Sequence, residues 1–129
     1  MTLDELLGRK NELLYWYKGR ALRIVDGDTA DIEFALGFHL TAALRVRLLG
    51  VNAFELNSDD EHSRAKAIEA REFLRQRLIA DHEEPWPLLV RTEKSDSFGR
   101  WLVRIVLPGG DDIAEQLLKR ELAVPYKRR

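Results

Sequence analysis

The chain has 129 residues, of which 45% are hydrophobic and 33% are charged, a balance that excludes a disordered tail and predicts one compact domain over residues 1–129. It contains no cysteine, which excludes disulfides, thiolate nucleophiles and cysteine-ligated zinc. The 21 basic and 22 acidic residues leave a net charge of -1; this argues against a protein that coats nucleic acid, but not against an enzyme with a local positive cleft.

The beginning of the chain predicts a helix and no targeting segment. Residues 1–14 fit a short helical extension, in which Thr2 and Glu5 resemble a capping box. This segment is acidic and too broken for a secretory signal, and no apolar run in the chain approaches the ~18 residues of a membrane span. We therefore expect a cytoplasmic monomer without membrane association.

The remaining elements predict a barrel that occupies residues 20–126. Period-two alternation predicts strands, and apolar side chains at spacings of three and four predict helices. In chain order we expect strands over residues 21–25, 29–36 and 44–49, a helix over 63–80, strands over 86–91 and 101–107, and a helix over 113–122. This order fits an α+β, mainly β fold, namely an OB-type five-stranded Greek-key barrel with about three helices. Trp16, Trp86 and Trp101 are expected to pack in that barrel.

Three short motifs carry side chains suited to phosphate chemistry. The first is the turn Asp26-Gly27-Asp28-Thr29, whose carboxylates can hold a hard divalent cation and whose Asp-Gly step readily takes a positive φ. The second places Arg47 on a strand, with Asn52 and Glu55 in the loop that follows. The third is the turn Asp96-Ser97-Phe98-Gly99-Arg100. Each motif alone fits an ordinary turn or strand end.

Taken together, the motifs supply the groups that phosphodiester hydrolysis needs. Two guanidiniums can clamp the equatorial oxygens of the transition state through paired hydrogen bonds. A metal held by carboxylates polarises the phosphoryl group, and a further carboxylate can take the proton of the attacking water. The set predicts a metal-dependent phosphodiesterase that acts on DNA or RNA.

The same motifs resemble those of the staphylococcal-nuclease (thermonuclease-like) family. The segments that carry the resemblance are residues 25–29, 46–55, 67–78, 96–100 and 117–123. The acidic turn, with Leu36-Gly37-Phe38 after the second strand, is similar to the short versions common in bacteria and their phages, which implies a bacterial, phage or prophage source. The resemblance implies an endonuclease-type hydrolase with an OB-fold.

The resemblance also implies a role for individual residues. Arg47 and Arg100 would clamp the phosphate, and Arg100 would also assist the leaving oxygen. Glu55 would be the general base or the carboxylate that positions water. Phe98 and Tyr126 would contact the nucleic acid.

The implied metal is calcium, with magnesium or manganese as the alternatives. Asp28 would be a ligand and Asp26 would support it. Asn52 stands where the family usually has an aspartate ligand, and its amide oxygen coordinates without charge, so we expect weak metal binding. Phe54 and Phe98 replace a proline and a tyrosine of the family pattern. We expect a weakened nuclease; the alternative is a non-catalytic OB-fold module that binds nucleic acid or protein.

Overall fold

The computed structural model describes residues 1–10, 14–79, 83–95 and 99–126. In chain order its elements are α1 Leu3–Gly8, β1 Trp16–Asp26, β2 Thr29–Gly37, β3 Leu40–Leu48, β4 Val51–Ala53, α2 Glu61–Leu78, β5 Leu88–Ser95, β6 Trp101–Val106, α3 Ile113–Lys119 and β7 Ala123–Pro125.

Five of these strands close a barrel in the order β1-β2-β3-β6-β5. Neighbouring strands pair antiparallel, except that β3 and β6 run parallel. The predicted mainly β fold with a five-stranded barrel and three helices is confirmed. In addition, β4 and β7 form a separate antiparallel pair. The sequence analysis missed this pair because three-residue strands are too short to show a period.

The core fills the barrel and the space beneath α2. Strand β2 alternates as predicted, with Ala30, Ile32 and Phe34 buried and the residues between them partly exposed. Helix α2 packs against β1. Its buried residues recur at spacings of three and four and are Ala67, Ala70, Phe73, Leu74 and Leu78. The helix begins at the N-cap Asp60, whose carboxylate accepts a hydrogen bond from the Ser63 backbone N–H at 3.1 Å.

The N-terminal extension differs from its prediction. Helix α1 ends at Gly8 and buries none of its residues, although Thr2 caps it by accepting a hydrogen bond from the Glu5 N–H at 3.2 Å. The rest of the helix expected over residues 1–14 falls partly on residues 11–13, which lie outside those described. In the described part of the chain, no helix has the length and apolar character needed to cross a membrane.

Candidate active site

The carboxylate turn between β1 and β2 is held by close packing. The Asp28 N–H donates to Asp26 Oδ1 at 3.0 Å. A Cβ on Gly27 would lie 2.8 Å from the Cβ of Ala70 on α2 and 2.9 Å from the Cβ of Ala53 on β4, which is too close for any side chain. The expectation of a positive φ at the Asp-Gly step is wrong at Gly27. The glycine instead lets the turn lie directly against α2 and β4.

Asp28 is buried, and its carboxylate ties three strands together. Oδ1 accepts a hydrogen bond from the Thr29 hydroxyl at 2.9 Å. Oδ2 accepts from the Ala53 backbone N–H at 2.9 Å and from Arg47 Nη2 at 3.4 Å. Because each carboxylate oxygen is bonded, the cost of burying this charge is offset locally. The bonds join the start of β2 to the end of β3 and to β4.

The pKa values of the two carboxyl groups of the turn are shifted in opposite directions. Burial, together with the hydrogen bond shared with Asp28, raises the pKa of Asp26 from 3.8 to about 6. Burial also acts to raise the pKa of Asp28, but the hydrogen bonds from Asp26 and Ala53 and the charge of Arg47 outweigh it, so the pKa of Asp28 lies below its usual value. Asp28 therefore stays ionised over the pH range in which Asp26 gains or loses its proton.

Arg47 lies at the end of β3 with only 9% of the residue exposed. Its Nη2 donates to Asp28 Oδ2 and, at 3.1 Å, to Asn52 Oδ1. The guanidinium carbon lies 5.1 Å from the centroid of the Tyr126 ring, a cation–π contact. Tyr126 is held by its backbone N–H, which donates to Gly50 O at 2.9 Å. Asn52 is positioned by the β4–β7 pair, in which it faces Val124.

The other two expected site residues within the described chain, Arg100 and Glu55, lie next to the ends of strands. Parallel pairing places Leu102 of β6 opposite Arg47 of β3. The half-buried Arg100 directly precedes β6 and lies two residues before Leu102, a separation of about 7 Å along an extended chain. Glu55 is exposed and comes two residues after β4. Its carbonyl accepts a hydrogen bond from the Ser58 N–H at 3.3 Å. Phe98 lies outside the described residues.

Five of the expected site residues therefore meet in one place; they are Asp26, Asp28, Arg47, Asn52 and Tyr126. The sequence analysis missed the Thr29 hydroxyl and the Ala53 N–H, which also bond Asp28. Because Thr29 directly follows Asp28, the sequence could have indicated that its hydroxyl bonds that carboxylate. Nothing in the sequence marks the Ala53 N–H, because only the fold brings β4 to the turn.

Whether a metal ion suits this cluster depends on which side-chain atoms could coordinate it. Across residues 1–10, 14–79, 83–95 and 99–126, no group of three or more His, Asp or Glu side chains converges on one point. Two oxygens do converge, because Asp28 Oδ2 and Asn52 Oδ1 both lie within 3.4 Å of Arg47 Nη2. Oxygen donors are the kind that calcium prefers. The residues thus fit calcium in donor type, with less negative charge than two ionised carboxylates would supply.

Comparison with known proteins bears on the same residues. A family model described as staphylococcal nuclease homologue matches residues 45–129. This segment contains Arg47, Asn52, Glu55, Arg100 and Tyr126, whereas the turn that carries Asp26 and Asp28 precedes it. The comparison with individual curated proteins found no match.

Proposed function

The chain belongs to the staphylococcal nuclease homologue family, and we propose that it is a nuclease that hydrolyses phosphodiester bonds in DNA or RNA. The proposal assigns Arg47, Arg100 and Glu55 as its catalytic residues. The observation that carries it is the placement of Arg47, a buried arginine held by a carboxylate, an amide and an aromatic ring. Such a cation is prepared in advance for negative charge in a bound ligand.

Arg47 has more N–H donors than its hydrogen bonds to described residues use. A guanidinium has five N–H donors, and the bonds to Asp28 and Asn52 both use Nη2. In our proposal, the donors of Nε and Nη1 bind a phosphate oxygen. The stacking on Tyr126 holds the guanidinium plane, so little side-chain freedom is lost when the phosphate binds.

Arg100 would supply the second half of the clamp from the position directly before β6, the strand that pairs with the end of β3. The negative charge on the equatorial oxygens grows on the way to the transition state, so donors fixed around those oxygens lower the barrier. Glu55, exposed two residues after β4, would accept the proton of the attacking water. Tyr126 and Phe98 would contact the nucleic acid near the scissile bond.

The metal belongs to the same proposal. Calcium dependence is general in this family, and in this chain Asp28 and Asn52 would hold the ion, with Asp26 supporting Asp28 through their hydrogen bond. A bound calcium, magnesium or manganese ion would polarise the phosphoryl group. Both oxygens are also hydrogen-bonded to Arg47, so we expect the chain to bind the metal weakly.

A second candidate function is a non-catalytic OB-type module that binds nucleic acid. The observation that favours it is Asn52, an amide whose oxygen is already bonded to Arg47. In a pure binding module, Arg47 would contribute charge and stacking, and the loss of metal affinity would carry no penalty.

Cleavage assays separate the two functions. Labelled single- and double-stranded oligonucleotides are incubated with the parent protein in calcium, magnesium, manganese or chelator. The nuclease proposal predicts metal-dependent cleavage by the parent and a loss of roughly 100-fold or more in Glu55→Gln, because an amide cannot take the proton of water. Glu61→Gln, which changes an exposed carboxylate at the start of α2, is the matched control. A parent protein that binds but never cuts, with every metal tested, assigns the chain to the second function.

A further inference from the structure

The end of the β2–β3 hairpin projects apolar side chains into water. We define the hairpin tip as residues 36–40. Phe38 is 95% exposed, Leu40 60% and Leu36 43%, and Phe38 is the most exposed large apolar side chain among those described. The period-two alternation places Leu36 on the same face of β2 as the buried Ile32 and Phe34, so its exposure marks the point where the core ends.

The backbone of the tip adopts a conformation that its side chains disfavour. The pair Gly37↔Leu40 closes the hairpin around Phe38 and His39, whose φ angles are 55° and 60°. Positive φ at both central residues is typical of a type I′ turn, for which Asn-Gly is preferred. A phenylalanine and a histidine are held there at an energetic cost. The tip thus has two unfavourable features, a strained backbone and an apolar ring exposed to water. No contact within the described chain compensates for either.

A groove opens at the base of the same hairpin. Its volume is about 490 Å³, and it is floored by Tyr17 and Phe34, whose rings meet edge to face at 6.2 Å. Leu44 and Trp101 line its sides and are 42% and 43% exposed. Trp101 belongs to barrel strand β6, as expected, but its side chain is only partly covered.

The groove exists because β3 extends beyond its partner. Pairing between β3 and β6 begins at Val46↔Trp101, so the part of β3 before Val46 has no β6 neighbour among the described pairs. The inward-facing side chains of this overhang, such as Leu44, remain uncovered. Tyr15 lies at the lip of the groove, 58% exposed and with a φ of 70°. Three of the four described non-glycine residues with positive φ thus border this surface.

We propose that the tip and the groove form an interface between two copies of this chain, with the tip of each copy seated in the groove of the other. An exposed apolar ridge and an apolar groove on one chain make the surface self-complementary, as a two-fold interface requires. The exposed apolar side chains of tip and groove present on the order of 600 Å² per chain. This approaches the roughly 800 Å² per partner of a stable interface and lies at the upper end for a monomer. This proposal differs from the monomer expected from the sequence, and the sedimentation experiment below decides between them.

The chemistry of the groove favours a second copy over a nucleic-acid strand. Its polar lining comes from Thr92, Glu93 and the two tyrosines, and no arginine or lysine lines it within the described residues. A strand of nucleic acid would need cations along its phosphates. Arg47, next to Val46 along β3, projects from the opposite face of that strand, so pairing through the groove leaves the proposed active site open.

Sedimentation velocity over a wide range of protein concentration tests the interface. The parent should reach twice the mass of one chain. Phe38→Asn should raise the dissociation constant of the dimer roughly 100-fold or more, because each dimer loses two buried aromatic rings. Asparagine tolerates a positive φ, so this variant should fold at least as well as the parent, and urea unfolding checks that it does.

Two further variants locate the contact. Leu44→Thr changes the groove and keeps a good strand-forming residue; it should weaken the dimer in the same direction. Ile68→Gln on α2, which is 49% exposed and absent from the groove lining, is the control and should leave the dimer intact. A parent that stays monomeric at every concentration overturns the proposal, as does a dimer that persists unchanged in Phe38→Asn. A monomeric parent whose affinity for a single-stranded oligonucleotide falls in Phe38→Asn would assign the surface to nucleic acid, and also overturns it.

Discussion

The two ends of the β2–β3 hairpin are unusual in opposite ways: one buries polar groups and the other exposes apolar groups. At the barrel end, Asp28, Thr29 and Arg47 are buried, and the charges of Asp28 and Arg47 meet within the chain. At the free end, Leu36, Phe38 and Leu40 are exposed. Buried charge is tolerated only where partners compensate it, and the barrel end supplies those partners itself. The free end has no such compensation within the described chain, which is why a second copy is proposed there.

The two ends of the hairpin also differ in the interactions that fix their conformation. The barrel end is held by hydrogen bonds that join Asp28 to β3 and β4, and by the cation–π contact between Arg47 and Tyr126. This is the arrangement expected of a site that must position a cation. The free end is a strained two-residue turn with positive φ at Phe38 and His39. We expect substitutions at the barrel end to change catalysis, metal affinity and folding, and substitutions at the free end to change association.

The largest effect should come from Arg47→Lys at the barrel end. Lysine keeps the charge but cannot make paired hydrogen bonds to a phosphate, and it stacks less well on Tyr126. We expect turnover to fall roughly 100- to 1000-fold, measured as single-turnover cleavage of a labelled oligonucleotide. Arg45→Lys, on the same strand and bonded to Asp31 at 2.8 Å, is the matched control. Equal losses in the two variants would mean that Arg47 contributes charge alone.

Gly27→Ala should cost the most folding stability. The new Cβ would meet Ala70 and Ala53 at under 3 Å, and both belong to packed elements that cannot move independently. We expect a loss of about 1–3 kcal/mol in the free energy of unfolding, measured by urea titration. Gly8→Ala, where no atom lies within 4 Å of the added Cβ, should change stability by no more than about 1 kcal/mol in either direction. An unchanged Gly27→Ala would show that the turn does not lie against α2 as described.

Asn52→Asp should tighten calcium binding about tenfold, because it replaces a neutral oxygen donor by a charged one beside Asp28. Calorimetric titration of the purified protein measures the change. Asn57→Asp adds the same charge to an exposed position in the loop after β4 and serves as the control. If both variants bind calcium like the parent, Asn52 is not a ligand.

The smallest effect concerns pH. Because burial raises the pKa of Asp26 from 3.8 to about 6, its contribution to stability is fully present below pH ~4 and is lost as the pH rises through 6. Asp26→Asn removes this loss. In metal-free buffer it should therefore be more stable than the parent by about 1–2 kcal/mol at pH 8, with a difference that shrinks towards pH 4. A difference that is constant over this range would contradict the assigned pKa.

The sequence predicted those parts of the molecule that depend on local pattern. The alternation in β2 and the spacing of Ala67, Ala70, Leu74 and Leu78 indicated the barrel strands and α2, and the motif residues indicated the site. The sequence could not predict contacts that depend on how strands and helices of unequal length meet in the folded chain. The β4–β7 pair, the bond from the Ala53 N–H and the contact of Gly27 with Ala70 all require the closed fold. The groove required knowledge of the β3–β6 register, because the overhang of β3 leaves an apolar face uncovered.

The most direct test of the central claim compares rate with affinity in Arg100→Lys. Single-turnover cleavage and equilibrium binding are measured on the same oligonucleotide, with Arg104→Lys as the control, since Arg104 lies further along β6 and bonds Asp112 at 3.3 Å. If the guanidinium stabilises charge that develops only in the transition state, the rate should fall roughly 100-fold or more while affinity changes little. A parent that binds the oligonucleotide without cutting it, or a variant whose rate and affinity fall by the same factor, would contradict the account.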